Sequence, residues 1–183
     1  MVRVNLLTEG QSEESFVRMV LAPYLGALGV YVVARSVEVS RKRGTIRRGG
    51  LRDYGRVKRD IDRWLKQDSS AYVSTMFDVY ALPSSFPGFD FVSGDPYDRV
   101  RHLEEALTAD IGHHRRFVPY LQLHEFEALL FSDVAAIDAE FVTSGRKSRL
   151  SQLVAIRHEF ATPEHIDDGY DTCPSRRLVT LFP

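Results

Sequence analysis

The chain has 183 residues, 44% of them hydrophobic and 27% charged, with a formal net charge of −1. That length suits one domain with a sizeable core, and near-neutrality excludes attraction to nucleic acid or membrane by bulk charge, so any electrostatic footprint is local. No apolar run approaches ~18 residues and the N-terminus lacks a signal peptide's charged and apolar regions, so no membrane span is expected.

In chain order, "VRVNLL" alternates and then runs apolar, which predicts a strand buried on both faces that stops at Glu9-Gly10. From Ser12, a candidate N-cap, the period becomes helical through Phe16, Val17, Val20, Leu21, Leu25 and Leu28. Gly29 is a candidate stop, and Pro23 predicts a kink or restart. "VYVVARSVEV" predicts a second strand. "SRKRGTIRRGGLR" then gathers Arg41, Lys42, Arg43, Arg47, Arg48 and Arg52 with Gly44, Gly49 and Gly50. In a near-neutral protein this reads as a flexible, anion-seeking loop, or more plainly as a solvated one. "DYGRVKRDIDRWLKQD" predicts an amphipathic helix with Val57, Ile61, Trp64 and Leu65 inward.

A third strand, "AYVSTMF", again ends on a carboxylate, Asp78. A long loop carrying Pro83 and Pro87 follows, of a length that is often functional, and then a helix with Pro96 in its first turn. "RFVPYLQL" predicts a fourth strand, running into a short acidic, then apolar, helix in "HEFEALLFS" whose Phe126, Leu129, Leu130 and Phe131 should pack as core. The remainder from Asp133 is helical and loop-rich, with "SRLSQLVAIRHEF" its clearest helix. Arg176 and Arg177, behind Ser175 as a candidate N-cap, suit a phosphate at a helix start. His124 precedes Glu125 and is a candidate for substrate protonation, whereas His113-His114 lies in a polar connection. The single cysteine, Cys173, excludes an internal disulfide framework and suits a reducing cytoplasm.

Strand and helix alternate four times, which predicts an α/β fold, a largely parallel four-stranded sheet flanked by helices with a helical C-terminal portion. We expect one domain over 1–183, with its core to about 132 and a helical extension over 133–183. Functional groups in such sheets collect at the carboxyl ends of strands, so Glu9, Asp78, Glu125 and Glu127 are expected along one edge. Crowded carboxylates either protonate or take a cation, and hard divalent ions such as Mg²⁺ suit a sparse set of Asp and Glu. Such ions support phosphoryl-transfer and phosphodiester chemistry. The plainer reading makes each acid a helix cap.

"TEGQSEESFVRMVLAPYL", "STMFDVYALPSSFPG", "RFVPYLQLHEFEALLFSD" and "PEHIDDGYDTCPSRRLVTLFP" together resemble the Toprim-like bacterial family catalogued as domain of unknown function 4276. The resemblance covers nearly the whole chain. It implies a Rossmann-type Toprim-like core in which a Glu after the first strand and a D-x-D after the third bind Mg²⁺. Glu9 matches the first element and Asp78 the first acid of the second, but Tyr80 stands where the second Asp belongs. Glu125 or Glu127 is the candidate substitute. The resemblance further implies an ATPase partner of ABC or AAA type in a defence setting.

The expected activity is therefore Mg²⁺- or Mn²⁺-dependent cleavage of nucleic acid, with Glu9, Asp78 and Glu125 catalytic and Glu127 a further ligand. Arg41, Lys42, Arg43, Arg47, Arg48, Arg176 and Arg177 are the expected nucleic-acid contacts. A regulatory partner-binding subunit with a degenerate site, which Tyr80 favours, and a nucleotide-directed phosphoryl-transfer enzyme are the alternatives. Oligomeric state and the choice of DNA or RNA stay open. Leu178, Val179, Leu181 and Phe182, apolar at the chain's end, lead us to expect further chain beyond Pro183.

Overall fold

The computed structural model describes residues 1–183 except 43, 44, 49, 50, 52, 167, 168 and 170, and of 38–42 and 45–48 the backbone alone. The chain forms two compact units, Met1–Gln122 and Leu123–Pro183. The division falls earlier than position 132, where the strand pattern placed the end of the core.

The first unit is a parallel sheet with helices. Strand β1 (Val2–Thr8) pairs with β2 (Val30–Ser36) on one side and β5 (Tyr72–Asp78) on the other, and β6 (Phe117–Val118) and β7 (Leu121–Gln122) extend the far side of β5. Every pairing in this sheet is parallel. The expected fourth strand is thus two short ones, because Pro119 has no N–H to give the ladder. The register survives the break, with Ser74 opposite Val118 and Phe77 opposite Leu121. Thr75 fills the gap with its side chain: Oγ1 donates to Tyr120 O and accepts from Tyr120 N–H, both at 3.0 Å.

Between β1 and β2 the helical segment comprises α1 (Gln11–Phe16), a π turn (Val17–Leu21) and α2 (Ala22–Ala27). Its N-cap is Gly10 rather than Ser12. The π turn precedes Pro23, which can neither bond the carbonyl four residues back nor avoid its oxygen, and Ala22 N–H bonds Val17 O instead. The basic segment expected as a loop is a hairpin, β3 (Glu38–Lys42) against β4 (Thr45–Arg48), with a bulge between Glu38 and Ser40. Arg43, Gly44, Gly49, Gly50 and Arg52 lie outside the described residues.

Helix α3 (Tyr54–Gln67) starts on Asp53, whose Oδ1 accepts from Gly55 N–H at 2.9 Å, and it buries Val57, Ile61, Trp64 and Leu65 as its periodicity requires. Arg116 closes its other end, donating to the carbonyls of Leu65, Asp68 and Ala71 at 2.7–3.0 Å. The long proline-bearing loop is packed: Leu82 and Phe86 join the core formed by β1, β5, α3 and α4 (Pro96–Asp110). Gly88 in this loop has φ +76°, and an added Cβ would lie 2.9 Å from Ala106 Cβ on α4, so both backbone and space demand glycine.

The second unit holds a 3₁₀ turn (Phe126–Ser132), α5 (Val134–Thr143), α6 (Leu150–His158), a 3₁₀ turn (Pro163–His165) and α7 (Pro174–Leu181). Its core is Phe131, Leu153, Ile166 and Phe182, with Phe141 stacked on Phe182 at 3.9 Å. Three residues per turn set Glu127 and Leu130 on one side of the first 3₁₀ turn, and Leu130 is exposed rather than core. Leu178 and Leu181 pack on this core with Phe182, while Val179 and Thr180 are exposed.

Candidate functional site

The strand order reverses between β1 and β5: the chain leaves β1 for β2 and then returns to lay β5 on the other side. At such a switch point in an open parallel sheet, the connections diverge and leave a crevice outside the carboxyl ends of the strands. The two strands that meet there run into Glu9 and Asp78. Thr8 pairs with Met76, and Glu9 N–H donates to Met76 O at 3.3 Å, so Glu9 leaves the ladder beside Phe77, one residue short of Asp78. Both carboxylates are half-buried, and Oε2 of Glu9 is shielded from solvent.

The other two acids after β1 have structural occupations. Glu13 Oε2 accepts from Gly10 N–H at 2.7 Å and so closes the start of α1. Glu14 Oε2 accepts from Ser36 N–H at 3.0 Å and Ser36 Oγ at 2.6 Å, tying α1 to the end of β2. Thr8, fully buried, donates through Oγ1 to Gly10 O at 3.2 Å, so this corner of the sheet is a connected polar network. Tyr80 lies in the 3₁₀ turn (Val79–Ala81) after β5 and is exposed.

Glu125 and Glu127 belong to the second unit. Glu125 is buried, its Oε2 accepting from Ser175 N–H at 3.1 Å and its Oε1 from Ser175 Oγ at 3.2 Å. The N-cap of α7 is Cys173, with Pro174 first and Ser175 second in the helix, so Ser175 is not the cap. The helix start expected to seat a phosphate therefore receives the chain's own carboxylate, which the helix dipole favours for the same reason. Arg177 Nε donates to Thr172 O, and its guanidinium sits 5.5 Å over Phe160 and 3.7 Å from Glu159 Oε2. Arg176 is exposed.

His124 holds a left-handed backbone, φ +60°, immediately before Glu125, and His113 one of φ +49°. His114 Nδ1 accepts from Arg116 N–H at 3.2 Å, a turn-closing role in the polar connection. Of the basic hairpin, Glu38 pairs with Arg48, Ser40 with Arg47, Arg41 with Ile46 and Lys42 with Thr45.

Among the described residues no three His, Cys, Asp or Glu side chains gather as metal ligands. Mg²⁺ or Mn²⁺ is commonly held by one or two carboxylates, with water and substrate phosphate completing the shell, so a pair of acids at adjoining strand ends is chemically compatible with such an ion. Sequence reasoning missed Ser36, whose bonds to Glu14 become visible only once β2 is placed beside β1.

These features define an α/β protein with a Rossmann-like, mostly parallel sheet in which the two strands at the switch point end at Glu9 and Asp78. The family profile described as Domain of unknown function (DUF4276) matches residues 8–183, and the chain belongs to that family. No curated protein and no solved structure matches it. Among the described residues no helix is long and apolar enough to cross a membrane.

Proposed function

We propose that this protein is a Toprim-like, Mg²⁺- or Mn²⁺-dependent nuclease acting in the cytoplasm with an ATPase partner of ABC or AAA type in a defence setting. The observation that carries the reading is the meeting of Glu9 and Asp78 at the ends of adjacent parallel strands on the switch point. Glu9 and Asp78 would hold the ion, which lowers the pKa of an attacking water and neutralises charge on the scissile phosphate. Glu125, bonded to Ser175, and Glu127 belong to the second unit, so the proposed site rests on Glu9 and Asp78. The hairpin residues Arg41, Lys42, Arg47 and Arg48 would supply phosphate contacts.

The test is two-sided. Glu9→Gln and Asp78→Asn keep the shape but lose the charge that holds a cation, so cleavage of nucleic acid with Mg²⁺ or Mn²⁺ should vanish, while apo melting temperatures hold or rise slightly. Variants that melt lower yet still cut would sink the metal-site reading. A second reading, a regulatory subunit with a degenerate site, is favoured by Tyr80 in place of the second acid. Under it the wild type binds its ATPase partner but never cuts, and if it also takes up metal, nucleotide-directed phosphoryl transfer is the reading that follows.

A further inference from the structure

The stretch from α1 into the π turn carries Gln11, Ser15 and Arg18 at i, i+4 and i+7, the spacing of one helix face. With Glu14 and Ser36 they line a cavity of about 310 Å³. It lies by the carboxyl end of β2, the strand that flanks β1 on the side away from β5. Gln11 and Arg18 are exposed and Ser15 is half-buried, and among the described residues none of these three side chains has a hydrogen bond or ion pair. These three donors border one small cavity, and its volume lies at the lower end for small-molecule sites.

The donors name the ligand. Arg18 presents a planar guanidinium that stays charged and matches phosphate oxygens. Ser15 and Gln11 add neutral donors beside it. Glu14 has the opposite character: held to Ser36, it is an acceptor that repels a bare anion and suits a ligand carrying hydroxyl donors. We propose that the cavity seats a phosphate ester of a hydroxyl-bearing sugar, a nucleotide unit either free or within a nucleic-acid strand. Arg18 and Ser15 take the phosphate, and Glu14 takes a sugar hydroxyl. This deepens the phosphodiester reading of the crevice and rests on it for the substrate class.

Binding is measured by calorimetry in EDTA, so that no metal contributes, for inorganic phosphate, a nucleoside monophosphate and a short single-stranded oligonucleotide. We expect the nucleotide or the oligonucleotide to bind, with inorganic phosphate at least about tenfold weaker, and Arg18→Gln to weaken the bound ligand about tenfold. Lys66→Ala, which removes an exposed charge on α3, should change nothing. An oligonucleotide preferred over the nucleotide names a strand as the source, and the reverse order names a free nucleotide. Three results overturn the proposal: no binding by any probe, inorganic phosphate binding as tightly as the others, or an Arg18→Gln affinity equal to wild type. Because metal is absent, failure of Mg²⁺-dependent cleavage would sink the crevice reading without altering this result.

Discussion

Glu104 shows how differently the acids of this protein are employed. From α4 it reaches the outer edge of the sheet, where Oε1 accepts from Leu121 N–H at 2.9 Å, and burial pushes its carboxyl above the ordinary value, against the bond from Leu121 that lowers it. The folded state therefore holds this proton more tightly than the unfolded chain. Stability linked to Glu104 is intact below the ordinary value of 4.5 and falls as pH rises through the folded value. Glu104→Gln keeps the acceptor for Leu121 and removes the ionisation. It should melt higher than wild type at pH 7, with the difference closing near pH 4; a gain of equal size at both pH values would refute the linkage. The acids at 13, 14 and 125 are likewise structural, each taking backbone or hydroxyl donors at a helix or strand end. Sequence spacing placed Glu9 and Asp78 at strand ends correctly, but it cannot tell which acids are taken up as caps and ties. That distinction depends on Ser36 and Ser175, which are remote in sequence from the acids they bind.

At the level of elements, periodicity was legible wherever one face is buried. Helix α3 follows its apolar pattern closely, and strands β1 and β5 do so toward their carboxyl ends, where Leu6, Leu7, Met76 and Phe77 are buried, whereas Val2 and Tyr72 at their starts are exposed. The departures arise where a local chemical event overrides the pattern. Pro119 splits the last strand and Thr75 repairs it, and Pro23 is accommodated by a π turn upstream rather than by a simple kink. The basic segment became a hairpin because Thr45 and Ile46, β-formers, sit among its charges, a signal outweighed by its glycines and arginines. The long loop after β5 gives the sharpest element-scale prediction. Gly88→Ala must accept φ +76° and press on Ala106, whereas Gly112→Ala at φ +77° meets nothing within 4 Å. The left-handed term costs about 1–2 kcal/mol at both positions, and overpacking at 88 adds roughly 1–3 kcal/mol. Denaturant unfolding should therefore rank Gly88→Ala well below Gly112→Ala. Equal losses would mean that the loop does not bear on α4 in solution.

Across the whole molecule, net charge near zero hides a strong local asymmetry, with the hairpin's arginines concentrated within one short stretch of the first unit. If the hairpin tracks a nucleic-acid backbone, replacing Arg41, Arg43, Arg47 and Arg48 by Ala weakens binding evenly across sequences. It should also flatten the slope of log affinity against log salt by ~0.9 per lost phosphate contact on duplex DNA. An unchanged slope assigns the hairpin to a solvated surface or a protein partner. The alternation of strand and helix made the parallel sheet legible from the outset, but not the separation of residues 123–183 as a compact unit, since its helices carry no marker of where one core stops and another starts. That separation changes how substitutions in related chains are to be interpreted. Glu125 and Ser175 stand near opposite ends of the second unit's sequence and hold each other, so selection acting on folding alone would preserve both. An acid retained at 125 then records a helix start being kept, and its persistence says nothing of chemistry. Retention of Glu9 and Asp78, at the strand ends that border the switch point, would be the more informative record.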